Sequence, residues 1–144
     1  MVSVKRLFRV RTALVAAACV SGLAAAACAS NAPIAALADT RWSVASLNGE
    51  PVGERGPTIE FSGDRISGSG GCNRYFGGYE ITGAETIVIR GVGSTEMACD
   101  PPEIMAREQA YFAALTGVRA YRRDGDRLTL SAVAGPTFVL HRAS

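Results

Sequence analysis

Few side chains in this 144-residue chain have the chemistry for catalysis or metal binding, and their number and spacing narrow what it can do. His141 is the single histidine. Of the four cysteines, two stand near the N-terminus at Cys19 and Cys28, and two stand further along at Cys72 and Cys99. A Cys–His nucleophilic pair needs a free thiol beside the imidazole, which an oxidising compartment disfavours. One histidine and two cysteines are too few for a zinc site. The glycines of Gly68-Ser69-Gly70-Gly71 suggest a phosphate cradle at first sight, but they run into Cys72 and a strand rather than opening a helix. No pair of carboxylates is placed by spacing for acid and base work. The residues point to a protein that is not an enzyme and that carries no cofactor or metal.

Cys28 has a different chemistry. Lys5, Arg6, Arg9 and Arg11 form a basic segment without acids, and Thr12 to Ala27 is a run of small and apolar residues ending at Ala25-Ala26-Ala27-Cys28. This is the pattern of an export signal over residues 1–27, too short to read as a stable membrane span. Small residues before a cysteine resemble a bacterial lipobox, in which that cysteine is acylated and starts the mature chain. The position three before it is Ala25 where leucine is usual, and Cys19 is a competing site with a shorter apolar run. Lipidation of Cys28 is expected, with cleavage after an Ala-x-Ala site as the rival outcome. The chain is then envelope-localised, held to a membrane by lipid and facing the periplasm or the outside, or else periplasmic or secreted. Residues 28–38, with Pro33, suit a short tether, and residues 39–143 a single domain.

Residues 28–144 carry eleven basic and thirteen acidic side chains, a formal charge of −2, so the net +2 of the whole chain belongs to its export signal. With no basic run interleaved with aromatics, a nucleic-acid partner is excluded. A protein or small-molecule ligand is the partner class left open, and the domain is expected to be a monomer.

In an exported domain, Cys72 and Cys99 are expected to pair. Closing a loop of that length contributes about 3.5 kcal/mol on the loop-entropy account. The alternative is two buried thiols acting as small hydrophobes. Beside Cys72, Asn73, Arg74, Tyr75 and Phe76 on a glycine-flanked loop are the candidate contact surface, since Arg and aromatics are the residue types of interface anchors. The same residues could instead close a barrel end, with Asn73 holding a turn.

The elements that must position these residues are short strands about ten residues apart, the punctuation of an all-β sandwich or barrel. Trp42 and Val44 alternate with polar residues up to the Asn48-Gly49 turn, and Ile59 and Phe61 alternate before Ser62-Gly63-Asp64. Arg65 to Ser69, the run around Tyr79 and Ile81, and Thr86 to Arg90 follow. Arg119 to Arg123, Arg127 to Ser131 and Thr137 to His141 complete the set, joined through Asp124-Gly125 and Gly135-Pro136. One helix interrupts them. Asp100 as N-cap, Pro101 at the first helical position, Glu103 and the terminating Gly117 frame it. Ile104, Tyr111 and Leu115 line its apolar stripe with Met105 and Phe112 beside it. Glu108 falls inside that stripe, where a carboxylate must be hydrogen-bonded, paired or snorkelling.

These anchors, in order, resemble the META domain, the family of the bacterial heat-shock protein HslJ. They are Trp42 with Leu47-Asn48-Gly49, Thr58-Ile59-Glu60-Phe61, and Gly68 with Gly71-Cys72-Asn73-Arg74-Tyr75. Thr95 with Met97-Ala98-Cys99, Glu108 with Phe112 and Leu115, and Leu128-Thr129-Leu130 follow. The resemblance covers residues 40 to about 141. It implies a mainly β fold with one helix (α+β), an antiparallel lipocalin-like barrel topology, and a stress-associated envelope lipoprotein. It implies no defined activity. Two function classes follow: a non-enzymatic envelope protein that binds a ligand or protein, and an inhibitor that inserts a loop into a protease or lysozyme. An open apolar barrel interior would favour the first, and a rigid protruding loop the second.

Overall fold

The computed structural model describes residues 37–135 and 137–144. The export signal, Cys28 and most of the tether lie outside the described residues. The described residues form nine strands, eight of them at the places the sequence pattern marks and β2 in addition: β1 (Thr40–Leu47), β2 (Glu50–Pro51), β3 (Thr58–Ser62), β4 (Arg65–Ser69), β5 (Arg74–Gly83), β6 (Thr86–Ser94), β7 (Val118–Asp124), β8 (Arg127–Ala132) and β9 (Thr137–Arg142), with α1 (Pro102–Thr116) between β6 and β7. All pairings are antiparallel, and the sheet order β2-β1-β3-β4-β5-β6-β7-β8-β9 is closed by pairing of β1 with β9. Because β2 adds only a two-residue extension to β1, the closed wall is an eight-stranded barrel.

Closure follows from the alternation in the strands. Residues of period two point inward, and in β1 these are Trp42 and Val44, in β3 Ile59 and Phe61, in β8 Leu128 and Leu130, in β9 Phe138 and Leu140. Each of these eight is buried. Together with Ile66, Tyr79, Ile87 and Val118 they form the hydrophobic core inside the barrel.

The two barrel ends are closed differently. At the end where the chain enters, Leu37 is fully buried, the Thr40 hydroxyl donates to the Leu37 carbonyl, and Trp42 Nε1 donates to Thr40 Oγ1 at 2.8 Å. Leu37, grouped with the tether from sequence, is thus part of the core. At the other end α1 lies across the mouth, since β6 finishes there and β7 begins there. Tyr111 meets Tyr75 of β5 and Phe138 of β9 with ring centroids 5.7 and 5.5 Å apart. Those two strands are not neighbours in the sheet, so this one ring spans the opening.

The helix begins one residue later than its sequence signals place it. Pro101 is the N-cap residue, in extended conformation, and Asp100 makes no capping hydrogen bond. The reason is steric. With Pro101 holding the cap position and Pro102 the first helical one, the Asp100 carboxylate falls one residue outside the reach of the free N–H groups. The far end agrees with expectation: the Gly117 N–H donates to Ala114 O and Leu115 O.

Candidate functional site

Strand β5 starts earlier than the sequence pattern implies, at Arg74, which changes the meaning of the segment around Cys72. Residues 73–76 are not a projecting loop. Asn73 closes a turn and Arg74, Tyr75 and Phe76 are strand residues with alternating faces: Asn73 and Tyr75 are buried, Arg74 and Phe76 exposed. The four candidate surface residues thus divide into an inner and an outer pair.

The inner pair belongs to two hydrogen-bond networks at the helix-capped end. Gly70 N donates to Asn73 O at 2.8 Å, which folds residues 70–73 into a tight turn, and Gly71 adopts φ +117°. The turn wraps around Glu108 of α1. Glu108 Oε2 accepts the backbone N–H of Asn73 at 2.5 Å and of Cys72 at 3.0 Å, and Oε1 accepts Asn73 Nδ2 at 2.6 Å. Gly70 is needed for this approach, because a Cβ there would stand 2.6 Å from Glu108 Oε2. Asn73 Oδ1 in turn accepts from Met97 N at 2.7 Å and from Thr95 Oγ1 at 2.8 Å, tying in the segment between β6 and α1. The disulfide between Cys72 and Cys99, with Cα atoms 5.9 Å apart, joins the same two segments covalently. The cysteines are bridged, and the buried-thiol alternative is removed.

The second network is phenolic. Tyr75 OH donates to Thr58 O at 2.9 Å and lies 2.7 Å from Tyr111 OH, which therefore donates to it. Burial holds both hydroxyls well above the usual tyrosine range, reinforced at Tyr75 by its Tyr111 neighbour and partly offset at Tyr111 by its hydrogen bond to Tyr75. Arg107 fixes a further loop to α1, with Nη1 donating to Val52 O at 2.8 Å.

The outer pair faces a cleft in the barrel wall. The β3–β4 ladder runs only from Ser62 opposite Arg65 to Glu60 opposite Ser67. Beyond it the strands are joined by side chains: Ser69 N donates to Thr58 Oγ1 at 3.1 Å, and Tyr75 OH takes Thr58 O. Over this seam is a cleft of about 490 Å³ lined by Arg41, Glu60, Ser67, Ser69, Arg74 and Phe76 among others. Arg41 donates from Nε and Nη2 to Glu60 Oε2, at 3.1 and 2.7 Å. His141 is exposed on β9 opposite Arg127 and Ser43, toward the chain-entry end and away from the disulfide at the helix-capped end. The structure does not bring it to either cysteine.

The sequence matches the META domain over residues 35–144, the whole barrel. The chain belongs to the META domain family. The META barrel is also similar to solved structures. An NMR structure of a protein from Burkholderia xenovorans superposes with a TM-score of 0.64 at 26% identity, covering 78% of this chain and 89% of that one. A second NMR structure gives a TM-score of 0.59 at 28% identity, covering 73% and 90%. A crystal structure of a DUF4847 family protein from Bacteroides vulgatus ATCC 8482 shares the fold, with a TM-score of 0.54 at 17% identity over 73% and 93% of the two chains. A comparison with curated proteins finds no match. For this META domain, sequence reasoning found Glu108 through its place in the apolar stripe but not the Asn73 turn as its partner. It missed the wall cleft altogether, because no local signal reports that β3 and β4 stop pairing after Ser67.

Proposed function

We propose that this META domain protein is an exported, stress-associated envelope protein, anchored through a lipid on Cys28, that works by binding and not by catalysis. One observation carries the reading: apart from the exposed His141, which stands away from them, the side chains singled out for reactive potential are engaged in structure. Cys72 and Cys99 are spent in a disulfide, the Glu108 carboxylate accepts three hydrogen bonds, and the Tyr75 and Tyr111 hydroxyls are bonded to each other. The cleft over the β3–β4 seam is a solvent-open recess on the barrel wall, the usual place for recognition. The inhibitor reading needs a rigid loop that projects. The disulfide-pinned turn instead folds back onto Glu108, which favours recognition by the wall.

The chain enters the barrel at Leu37, at the end opposite α1. Eight residues lie between Cys28 and Leu37, so the tether could reach about 30 Å if extended. The test is metabolic labelling of the full chain with an alkyne fatty acid in a bacterial host. Labelling and detergent-phase partitioning of the wild type, both lost in Cys28→Ser with the barrel still folded, are expected. An unlabelled wild-type chain would refute the anchored reading.

A further inference from the structure

The cleft over the β3–β4 seam combines three features that together define a ligand chemistry. The first is an exposed aromatic ring. Phe76 is 58% exposed, and its ring lies against Gly93 of the adjoining strand, where a Cβ would stand 3.1 Å from it. The glycine leaves room for the ring to lie close against the wall while much of it stays exposed.

The second is a rim of paired donors and acceptors. Both hydrogen bonds from Arg41 fall on Glu60 Oε2, so among the described residues Glu60 Oε1 and the other guanidinium N–H groups remain open to a ligand. The hydroxyls of Ser67 and Ser69 line the same cleft. The third is an uncompensated charge. Arg74 makes no ion pair among the described residues, while Arg41 and Glu60 offset one another, so the cleft carries one net positive charge.

A pyranose ring presents an apolar C–H face to an aromatic and a rim of neighbouring hydroxyls that need both donors and acceptors. A carboxylate on that ring would meet the planar fork of Arg74, which matches it bidentately. An acidic peptide would satisfy the charge but has no flat C–H face for Phe76. We infer that the wall cleft binds a carboxylate-bearing saccharide, one ring stacked on Phe76 with its carboxylate on Arg74. The cleft volume of about 490 Å³ falls within the range of small-ligand sites. This inference rests on the binding-protein reading and names the ligand class for it.

The experiment titrates the detergent-solubilised full chain with three probes: trigalacturonic acid, its methyl ester, and triglutamate. Binding of trigalacturonic acid about tenfold tighter than either of the others is expected, the size of one well-made charged contact. Arg74→Gln should abolish the preference for acid over ester, and Phe76→Ala should weaken both sugars about tenfold while the thermal transition stays intact. No binding of any probe overturns the inference. Equal binding of triglutamate overturns the saccharide assignment, and sugar binding indifferent to both substitutions overturns the cleft. None of these outcomes bears on lipid labelling at Cys28, so the inference and the anchored reading fail separately.

Discussion

A single oxygen of Glu108 accepts the backbone N–H of Asn73 at 2.5 Å, and the other accepts that residue's side-chain amide at 2.6 Å. Helix and strand entry are therefore stapled by one carboxylate that sees the same residue twice. Both residues are only 3% exposed, so water does not compete for these bonds.

Glu108→Ala strands the Cys72 and Asn73 backbone N–H groups and one of the two Asn73 amide N–H bonds, the other still reaching Met97 O. A loss of about 3–5 kcal/mol is expected in urea unfolding. Paired with Asn73→Ala in a double-mutant cycle, it should show coupling of about 1.5 kcal/mol or more. Additive losses would mean that the staple is not the shared element.

Removing the disulfide acts on the same turn from outside. Cys72 and Cys99 are 27 residues apart in sequence, and opening the bridge should cost about 3.5 kcal/mol on the loop-entropy account. Because Glu108 still holds the turn, the strands should stay assembled in Cys72→Ser, with a β-rich circular-dichroism spectrum. Replacing both cysteines should cost no more than replacing one. The mass of the oxidised domain should be two hydrogens below the reduced form, and two freely alkylated thiols in native protein would refute the bridge.

Tyr75 and Tyr111 set an alkaline limit. Their folded-state values lie above the ordinary tyrosine value of 10.0, chiefly because burial disfavours the phenolate. The stability this represents is fully present below about pH 10, where the unfolded chain keeps its protons. It falls as pH rises past that value, because the unfolded chain ionises first. Ultraviolet titration should show the phenolate absorbance of these residues appearing together with unfolding. Tyr111→Phe should retain the fold, cost about 1 kcal/mol at neutral pH and soften the alkaline decline. Smooth ionisation of both phenols in a folded barrel near pH 10 would contradict this account.

Much of the barrel is legible in the sequence because each strand carries its own period-two pattern and its own turn residues. Trp42 and Val44, Phe138 and Leu140, and the Asp124-Gly125 hairpin need no tertiary information. The start of β5 is not legible in this way. Arg74-Tyr75-Phe76-Gly77-Gly78 mixes aromatics with glycines and suggests a loop, yet register with β4 makes it a strand. The helix stripe was readable, and so was the anomaly of Glu108, since an isolated carboxylate in an apolar face violates patterning by itself. Its partner 35 residues away was not, because pairing at that distance is set by how the barrel closes. Asp100 misleads for a local reason: two consecutive prolines shift the cap by one residue.

The central claim is that the alternation of residues 73–76 separates a pair that the fold requires from a pair it holds out for recognition. Urea-unfolding free energies of four single variants test it most directly. Asn73→Ala and Tyr75→Phe should each lose about 2 kcal/mol or more, since each leaves buried partners unpaired. Arg74→Ala and Phe76→Ala should each stay within about 1 kcal/mol of the wild type, as exposed positions do. If either outer variant loses as much as the inner two, Arg74 and Phe76 are parts of the scaffold and the account of the wall as a binding surface is contradicted.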